Sequence, residues 1–93
     1  MRSVRCLAWT IDFSDAAFRV LRKLDKPTAR RIRDALKEIS FLDDPRSRGK
    51  ALTGDMSGFW RYRVGDYRVI CSIEDSALVV LVIDVGHRKD IYN

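Results

Sequence analysis

The sequence has few of the residues that build metal sites and disulfide frameworks. Cys6 and Cys71 are its only cysteines, they form no CxxC pair, and His87 is its only histidine. A zinc site or a disulfide framework is therefore without support. We expect a protein of the reducing cytoplasm that uses no metal and no other cofactor.

Long hydrophobic runs are also absent. The longest extends from Ala77 to Ile83 and is too short to cross a bilayer as a helix. The first residues alternate apolar and polar side chains, so we expect no signal peptide. The 93 residues suit a single domain over residues 1–93 and leave little room for a second.

Several common chemistries lack their motif. The sequence contains no glycine-rich phosphate loop, no HExxH metalloprotease motif and no nucleophile elbow. A KH module also places two helices between strands, but it needs a GxxG loop there. Lys26-Pro27-Thr28-Ala29 stands at that position and is not such a loop.

Basic residues outnumber acidic ones. Lys and Arg total 18 against 13 Asp and Glu, which gives a net charge of +5. That balance suits a nucleic acid, an acidic protein or an anionic membrane surface, and it does not choose among them. The excess is concentrated in one region, which contains Arg46, Arg48, Lys50, Arg61, Arg63 and Arg68.

Hydrophobic periodicity predicts an α+β fold with the order β-α-α-β-β-β. Alternating residues predict a first strand over residues 4–13. Ser14 then provides an N-cap for a first helix, and Pro27 suits the first turn of a second. A last strand over residues 77–85 is apolar on both faces and ends at Gly86, so we expect it in a central or doubly covered position. The helical hairpin should pack on one face of a small, largely antiparallel sheet.

Residues 58–74 predict a β-hairpin with Gly65-Asp66 as its two-residue turn. Such a turn determines four cross-strand pairs: Val64 with Tyr67, Arg63 with Arg68, Tyr62 with Val69, and Arg61 with Ile70. Directly opposed residues share a face of the sheet. Arg61, Arg63 and Arg68 are therefore predicted to lie together on one face.

This arginine cluster predicts an anionic partner. Like charges opposed across a sheet destabilise it, and a polyanion would relieve that repulsion. Each planar guanidinium can hold two phosphate oxygens. The last strand should run antiparallel to the second hairpin strand, so it returns His87, Arg88 and Tyr92 toward the three arginines. The alternative is a solvated outer face on which arginine is simply a polar residue.

His87 and Tyr92 each have two interpretations. Histidine readily exchanges a proton near neutral pH, which suits catalysis, but a single histidine in a terminal segment is more often structural. Tyr92 suits stacking on a base or a hydrogen bond to phosphate, and it is otherwise a packing anchor.

Five blocks of the sequence carry a family resemblance. They are Trp9-Thr10-Ile11 with Phe13-Ser14, Leu21-Arg22-Lys23-Leu24-Asp25-Lys26, Asp44-Pro45-Arg46-Ser47-x-Gly49-Lys50-x-Leu52-x-Gly54, Trp60-Arg61-Tyr62-Arg63-Val64-Gly65-Asp66-Tyr67-Arg68, and Val85-Gly86-His87-Arg88-Lys89-Asp90-Ile91-Tyr92. The last two are the specific ones. Together the blocks resemble the RelE/ParE superfamily of bacterial toxins from toxin–antitoxin pairs, and its RelE branch in particular.

The resemblance implies a compact α+β fold and an antitoxin that wraps a basic face. It also implies metal-independent cleavage of mRNA by attack of the 2′-hydroxyl on the adjacent phosphate, in RelE itself within the ribosomal A site. Arg61 and Arg63 stand where RelE has two active-site lysines, and Arg68 and Arg88 match its two active-site arginines. Tyr92 matches the tyrosine that stacks on the substrate base, at a shorter spacing from Arg88.

The replacement of lysine by arginine matters chemically. An arginine effectively cannot give up its proton, so neither Arg61 nor Arg63 can act as a base. Either His87 serves as acid or base, or the arginines act electrostatically while ribosomal RNA or water moves the proton. Further candidates for RNA binding are Arg46, Arg48, Lys50 and Lys89.

The hypothesis from sequence is thus a RelE-like endoribonuclease toxin. Its predicted catalytic residues are Arg61, Arg63, Arg68, Arg88, Tyr92 and His87. Its predicted partners are a cognate antitoxin, mRNA and the ribosome, with no membrane. Two alternatives share the fold: a ParE-like inhibitor of DNA gyrase, and a non-catalytic module that acts with its antitoxin.

Overall fold

The structure, a computed structural model, describes residues 9–87 of the chain. Within them the regular elements are β1 (Thr10–Phe13), α1 (Asp15–Lys23), α2 (Lys26–Ser40), β2 (Lys50–Ala51), β3 (Trp60–Val64), β4 (Tyr67–Glu74) and β5 (Val79–His87). The predicted order is confirmed, and the two-residue strand β2 is added to it. Neither helix of this described part is long and apolar enough to cross a membrane.

The described strands form one mixed sheet in the order β1-β5-β4-β3-β2. β1 runs parallel to β5, and the other neighbouring pairs are antiparallel. The central position predicted for the last strand is confirmed, because β5 lies between β1 and β4. The part of the predicted first strand before residue 9 lies outside the described residues.

The two helices cover one face of this sheet. Leu21 of α1 and Leu36 of α2 are buried with Val69, Val80 and Val82 of the sheet in one hydrophobic core. Burial of such side chains is the main favourable term in folding. No α-helix of residues 9–87 covers the opposite face.

A capping side chain begins each helix: Ser14, as predicted, for α1, and Asp25, which was not predicted as a cap, for α2. Ser14 Oγ accepts a hydrogen bond from the Ala17 amide at 3.1 Å and donates to the Ile83 carbonyl at 3.0 Å, so it joins α1 to β5. Asp25 accepts a hydrogen bond from the Thr28 amide at 3.3 Å, and hydrogen bonds from Thr28 lower the pKa of the Asp25 carboxyl. Pro27 occupies the first turn of α2, where its missing N–H costs nothing.

β5 ends later than predicted, and a β-bulge interrupts the alternation of its side chains. The strand was expected to end at Gly86, but it continues to His87, because pairing with the long strand β4 outweighs the weak strand propensity of glycine. A β-bulge at Ile83 interrupts the register: Cys71 pairs with Val82, and Ile70 pairs with Asp84. The extra residue reverses which side chains face the helices from Asp84 onward.

Candidate nucleic-acid interface

Four basic side chains lie on the sheet face opposite the helices. The predicted register is confirmed: Arg61 pairs with Ile70, and Arg63 pairs with Arg68. β2 adds Lys50 directly opposite Arg61. Since paired residues share a face, Lys50, Arg61, Arg63 and Arg68 form one surface, called here the basic face.

Exposure differs sharply across the basic face. Arg68 is only 7% exposed, Arg61 is half-buried, and Arg63 is exposed. A guanidinium is rarely buried unless other groups satisfy its charge and hydrogen bonds, so Arg68 is held in place by the protein. Arg63 stands opposite it with its side chain in solvent. The pair thus combines a positioned cation with one that can move toward a ligand.

Like charges are concentrated on the basic face in two adjacent rows. Opposed residues on one face have Cβ atoms about 4.5–5.5 Å apart, so Lys50–Arg61 and Arg63–Arg68 are close cationic pairs. Such pairs cost stability in the absence of an anion. A phosphodiester placed between the rows would accept charge-assisted hydrogen bonds from several of them at once.

A glycine brings Lys50 to this surface. Gly49 has φ of +80°, and a Cβ built on it would lie 2.4 Å from the Arg61 carbonyl oxygen and 2.7 Å from Trp60 Nε1. No other residue allows the chain to approach β3 so closely in that conformation. Trp60 Nε1 also donates to the Arg48 carbonyl at 2.6 Å. These contacts fix β2 against β3 and set Lys50 opposite Arg61.

Two of the predicted RNA-binding residues lie beside acidic side chains. Arg46 donates to both carboxylate oxygens of Asp75, at 2.9 and 2.8 Å. Arg48 lies 3.3 Å from a carboxylate oxygen of Glu38 on α2. The Arg46–Asp75 hydrogen bonds lower the pKa of Asp75 and raise the pKa of Arg46. Asp75 follows the end of β4 that is far from the hairpin turn, so this pair is remote from Arg63 and Arg68.

His87 lies at the predicted end of the sheet, with its side chain on the helix side. It pairs with Tyr67, and the two rings make an edge-on contact with centroids 5.5 Å apart. The bulge at Ile83 is the physical reason, because it turns His87 toward the helix side and Gly86 toward Arg68. Three other predicted site residues, Arg88, Lys89 and Tyr92, lie outside the described residues.

Asp84 is an acidic residue on this surface that was not predicted as a site residue. The bulge places it opposite Ile70, in the row that continues to Arg61 and Lys50. Its Oδ1 accepts a hydrogen bond from the Val85 amide at 2.9 Å. The available signal was an acid inside an otherwise apolar strand, but simple alternation assigns that position to the core face.

A groove runs past Asp84 and Arg61. The segment between β2 and β3 contributes Leu52, Thr53 and Met56 to its wall, and Ile70 lies at its floor, 2% exposed. The groove continues around the end of β5 to Val20 and Leu24 of α1. Apolar walls beside guanidinium groups suit a nucleotide, whose base is flat and apolar and whose phosphate is charged.

Two other ionisable groups of the sheet are unsuited to acid–base work at neutral pH. Cys71 is fully buried on the helix side, and burial raises the pKa of its thiol to about 12. Burial also raises the pKa of Tyr62, whose hydroxyl donates to the Pro45 carbonyl at 2.7 Å. Both side chains belong to the packing of the core.

Known proteins resemble the chain over nearly its whole length. The family profile described as ParE toxin of type II toxin-antitoxin system, parDE, matches residues 11–92. Toxin RelG of Mycobacterium tuberculosis (strain ATCC 25618 / H37Rv) is 35% identical over 89 residues, which cover 92% of this chain and 98% of RelG. The mRNA interferase toxin RelE of Escherichia coli (strain K12) is 30% identical over 84 residues, 89% of this chain and 86% of RelE.

A solved structure agrees with these relatives. A chain of the toxin–antitoxin complex RelBE2 from Mycobacterium tuberculosis superposes with a TM-score of 0.68 at 32% identity, over 90% of this chain and 95% of that one. The similarity includes both helices and the sheet that carries the basic face.

Proposed function

The chain belongs to the ParE toxin family of type II toxin–antitoxin systems, and on that premise we propose that it is an endoribonuclease that cleaves mRNA on the ribosome. It is a RelE-like toxin by its similarity to RelG and RelE. The words mRNA interferase describe the Escherichia coli relative, and we extend that activity to this chain.

The basic face is the observation that carries this proposal. It combines the buried Arg68, the exposed Arg63 and the half-buried Arg61 with a groove that has apolar walls. A surface that only bound duplex backbone would not need a buried cation. A cation held in one place is the arrangement that stabilises charge as it develops in a reaction.

In the proposed reaction the message supplies its own nucleophile. The 2′-oxygen attacks the adjacent phosphorus, the bond from phosphorus to the 5′-oxygen breaks, and a 2′,3′-cyclic phosphate and a 5′-hydroxyl result. Arg61, Arg63 and Arg68 orient the phosphate and neutralise the charge that builds on its oxygens. No step requires a metal.

The resemblance to RelE assigns two further roles in this proposal. Arg88 stabilises the transition state or the leaving oxygen, and Tyr92 stacks on the base. His87 lines the groove and contacts Tyr67, and its place on the helix side supports no direct contact with a phosphate held by Arg63 and Arg68.

We further propose that a cognate antitoxin binds this chain in the cytoplasm. The solved relatives include RelE–RelB complexes from Mycobacterium tuberculosis and Escherichia coli, the second at 23% identity. An acidic segment that covers the basic face would compensate its cationic pairs and exclude RNA together.

The test is cleavage of a defined message by the purified protein, with and without ribosomes, mapped by primer extension. We expect cleavage that depends on ribosomes, and we expect the double variant Arg63→Ala/Arg88→Ala to abolish it. Growth arrest after expression without antitoxin, with cellular messages left intact, would refute the nuclease.

Gyrase inhibition is the second candidate, because the matching family profile carries the ParE name. A supercoiling assay with purified gyrase separates the two functions. Inhibition of supercoiling at concentrations that leave ribosome-bound messages uncut would favour it.

A further inference from the structure

We propose that Asp84 is the base that accepts the proton of the attacking 2′-hydroxyl. The inference rests on the endoribonuclease function proposed above. It identifies the general base, a role that no arginine can fill, since a guanidinium binds phosphate well but does not take up a proton.

Asp84 lies close to the cations of the basic face. The bulge at Ile83 brings Asp84 onto the same face as Arg61 and Arg68 and into the same groove as Arg61. Asp84 and Arg68 are diagonal neighbours on adjacent strands, a relation that places side chains roughly 7–8 Å apart. Arg61 is two strands from Asp84, at about 10 Å. A phosphate held between these arginines would bring its neighbouring 2′-hydroxyl within reach of the carboxylate.

The carboxylate of Asp84 has a restricted orientation. Asp84 Oδ1 accepts the Val85 amide hydrogen at 2.9 Å, so the backbone of β5 limits rotation of the carboxylate. We assign the proton to the second oxygen, Oδ2. Among residues 9–87, the nearest charged residues of the neighbouring strands on this face are Arg68 of β4 and Arg61 of β3, both cationic. The segment between β2 and β3 contributes only uncharged side chains to the shared groove: Leu52, Thr53 and Met56.

The other carboxylates of the described strands and hairpin turn lie outside the groove. Asp12 lies on the same face but opposite Leu81, toward the far end of β5. Glu74 is at that far end too, opposite Val79, and it accepts a hydrogen bond from Ser72 Oγ. Asp66 is in the hairpin turn outside the groove. Asp84 is thus the carboxylate that shares the groove with a cation of the basic face among residues 9–87.

The resulting step is balanced. The 2′-hydroxyl proton moves to Asp84 Oδ2 as the bond from the 2′-oxygen to phosphorus forms. The bond from phosphorus to the 5′-oxygen breaks, and the 5′-oxygen takes a proton from solvent. Asp84 then returns its proton to water, and the enzyme is restored.

The test is single-turnover cleavage of a ribosome-bound message by Asp84→Asn. The amide keeps an oxygen for the Val85 amide hydrogen but cannot accept the proton. We expect cleavage to fall by about 100-fold or more, the usual contribution of a general base. Binding of a 2′-deoxy version of the message should be unchanged or up to about threefold tighter, because a negative charge has been removed beside phosphate.

Matched controls remove the same charge outside the groove. Asp12→Asn and Asp66→Asn should cleave at the wild-type rate within about threefold, since neither carboxylate reaches the reacting atoms. The rate of the wild-type protein should fall as acid protonates the base, and Asp84→Asn should lack that dependence. Asp84→Glu, which retains a carboxylate, should recover part of the rate.

Each failure has its own signature. If the wild-type protein leaves the message uncut with and without ribosomes, the proposed nuclease function falls and this inference falls with it. If the wild-type protein cuts and Asp84→Asn cuts equally well with the same pH profile, only the inference is overturned. Equal losses of binding and cleavage would also overturn it. If Asp84→Asn does not fold, the pH profile of the wild-type protein provides the test. A wild-type cleavage rate that does not fall in acid would overturn the proposal.

Discussion

Arginines occupy the two ends of this sheet in opposite electrostatic settings. At the far end Arg46 is matched by Asp75 in a two-point ion pair, and Arg48 lies beside Glu38. At the hairpin end Arg63 and Arg68 oppose each other across the strands. The same side chain thus ties loops together at one end, whereas at the other end two arginines share one face. The number of charged residues does not distinguish these two settings, because they differ in what each arginine contacts.

Removing Arg63 should have the largest effect. Arg63→Ala should lower cleavage by on the order of 100- to 1,000-fold, as loss of a donor to a developing negative charge does. Its thermal stability should hold or rise slightly, because a like-charge pair disappears. Single-turnover cleavage and thermal unfolding measure both. Arg46→Ala is the contrasting variant: it should lower stability and change cleavage far less. Equal effects of the two on cleavage would erase the distinction between the ends.

Salt should weaken RNA binding next most strongly. With about four cations on the basic face, the slope of log K against log salt for a single strand should be roughly −3. Lys50→Gln should reduce the magnitude of that slope by about 0.7. Fluorescence anisotropy with a 2′-deoxy message over a salt series gives both values. Asp12→Asn is the control that removes a charge without removing a phosphate contact. A slope unchanged by Lys50→Gln would place Lys50 outside the interface.

Gly49→Ala should reduce stability more modestly. Alanine is strained at φ of +80°, and its Cβ would collide with the Arg61 carbonyl, so we expect a loss of more than about 1 kcal/mol. Gly54→Ala is a matched control, since Gly54 has φ of +66° but no atom within 4 Å of its Cβ position. Chemical denaturation of both variants isolates the collision. Similar losses would show that backbone conformation alone matters at Gly49.

The smallest effect concerns acid stability at the far end. The pKa of Asp75 is lowered by Arg46, so the pair stabilises the fold above the unfolded-state pKa of an aspartate, about 3.9, and is lost as pH falls through the folded-state value. Asp75→Asn should therefore be slightly less stable than the wild-type protein at neutral pH. The difference should vanish in strong acid. Thermal unfolding over an acid series measures it, and a constant difference would contradict the assigned pair.

Local patterns predicted a large part of the fold. The Gly65-Asp66 turn sets the register that places Arg61, Arg63 and Arg68 together, and Ser14 and Pro27 mark helix starts by side-chain chemistry that acts over a few residues. These features depend on neighbours in sequence. For the same reason the basic face could be recognised before its surroundings were known.

Other features depend on contacts that periodicity does not contain. The bulge at Ile83 adds one residue to β5, and it places Asp84 on the face of the arginines and His87 on the helix side. Arg46 meets Asp75 across 29 positions of sequence, so this ion pair could not be predicted from local patterns. The same alternation rule that placed the three arginines on one face assigns Asp84 to the core face, so the candidate base was not predicted.

The two-residue strand β2 has a consequence for solubility. It is the outermost strand on its side of the described sheet, and its first residue is an exposed lysine. A short, charged edge is a poor template for pairing with a strand of another molecule. The cation at the border of the basic face therefore also discourages the sheet from growing by self-association, which matters for a protein whose RNA-binding surface is itself part of that sheet.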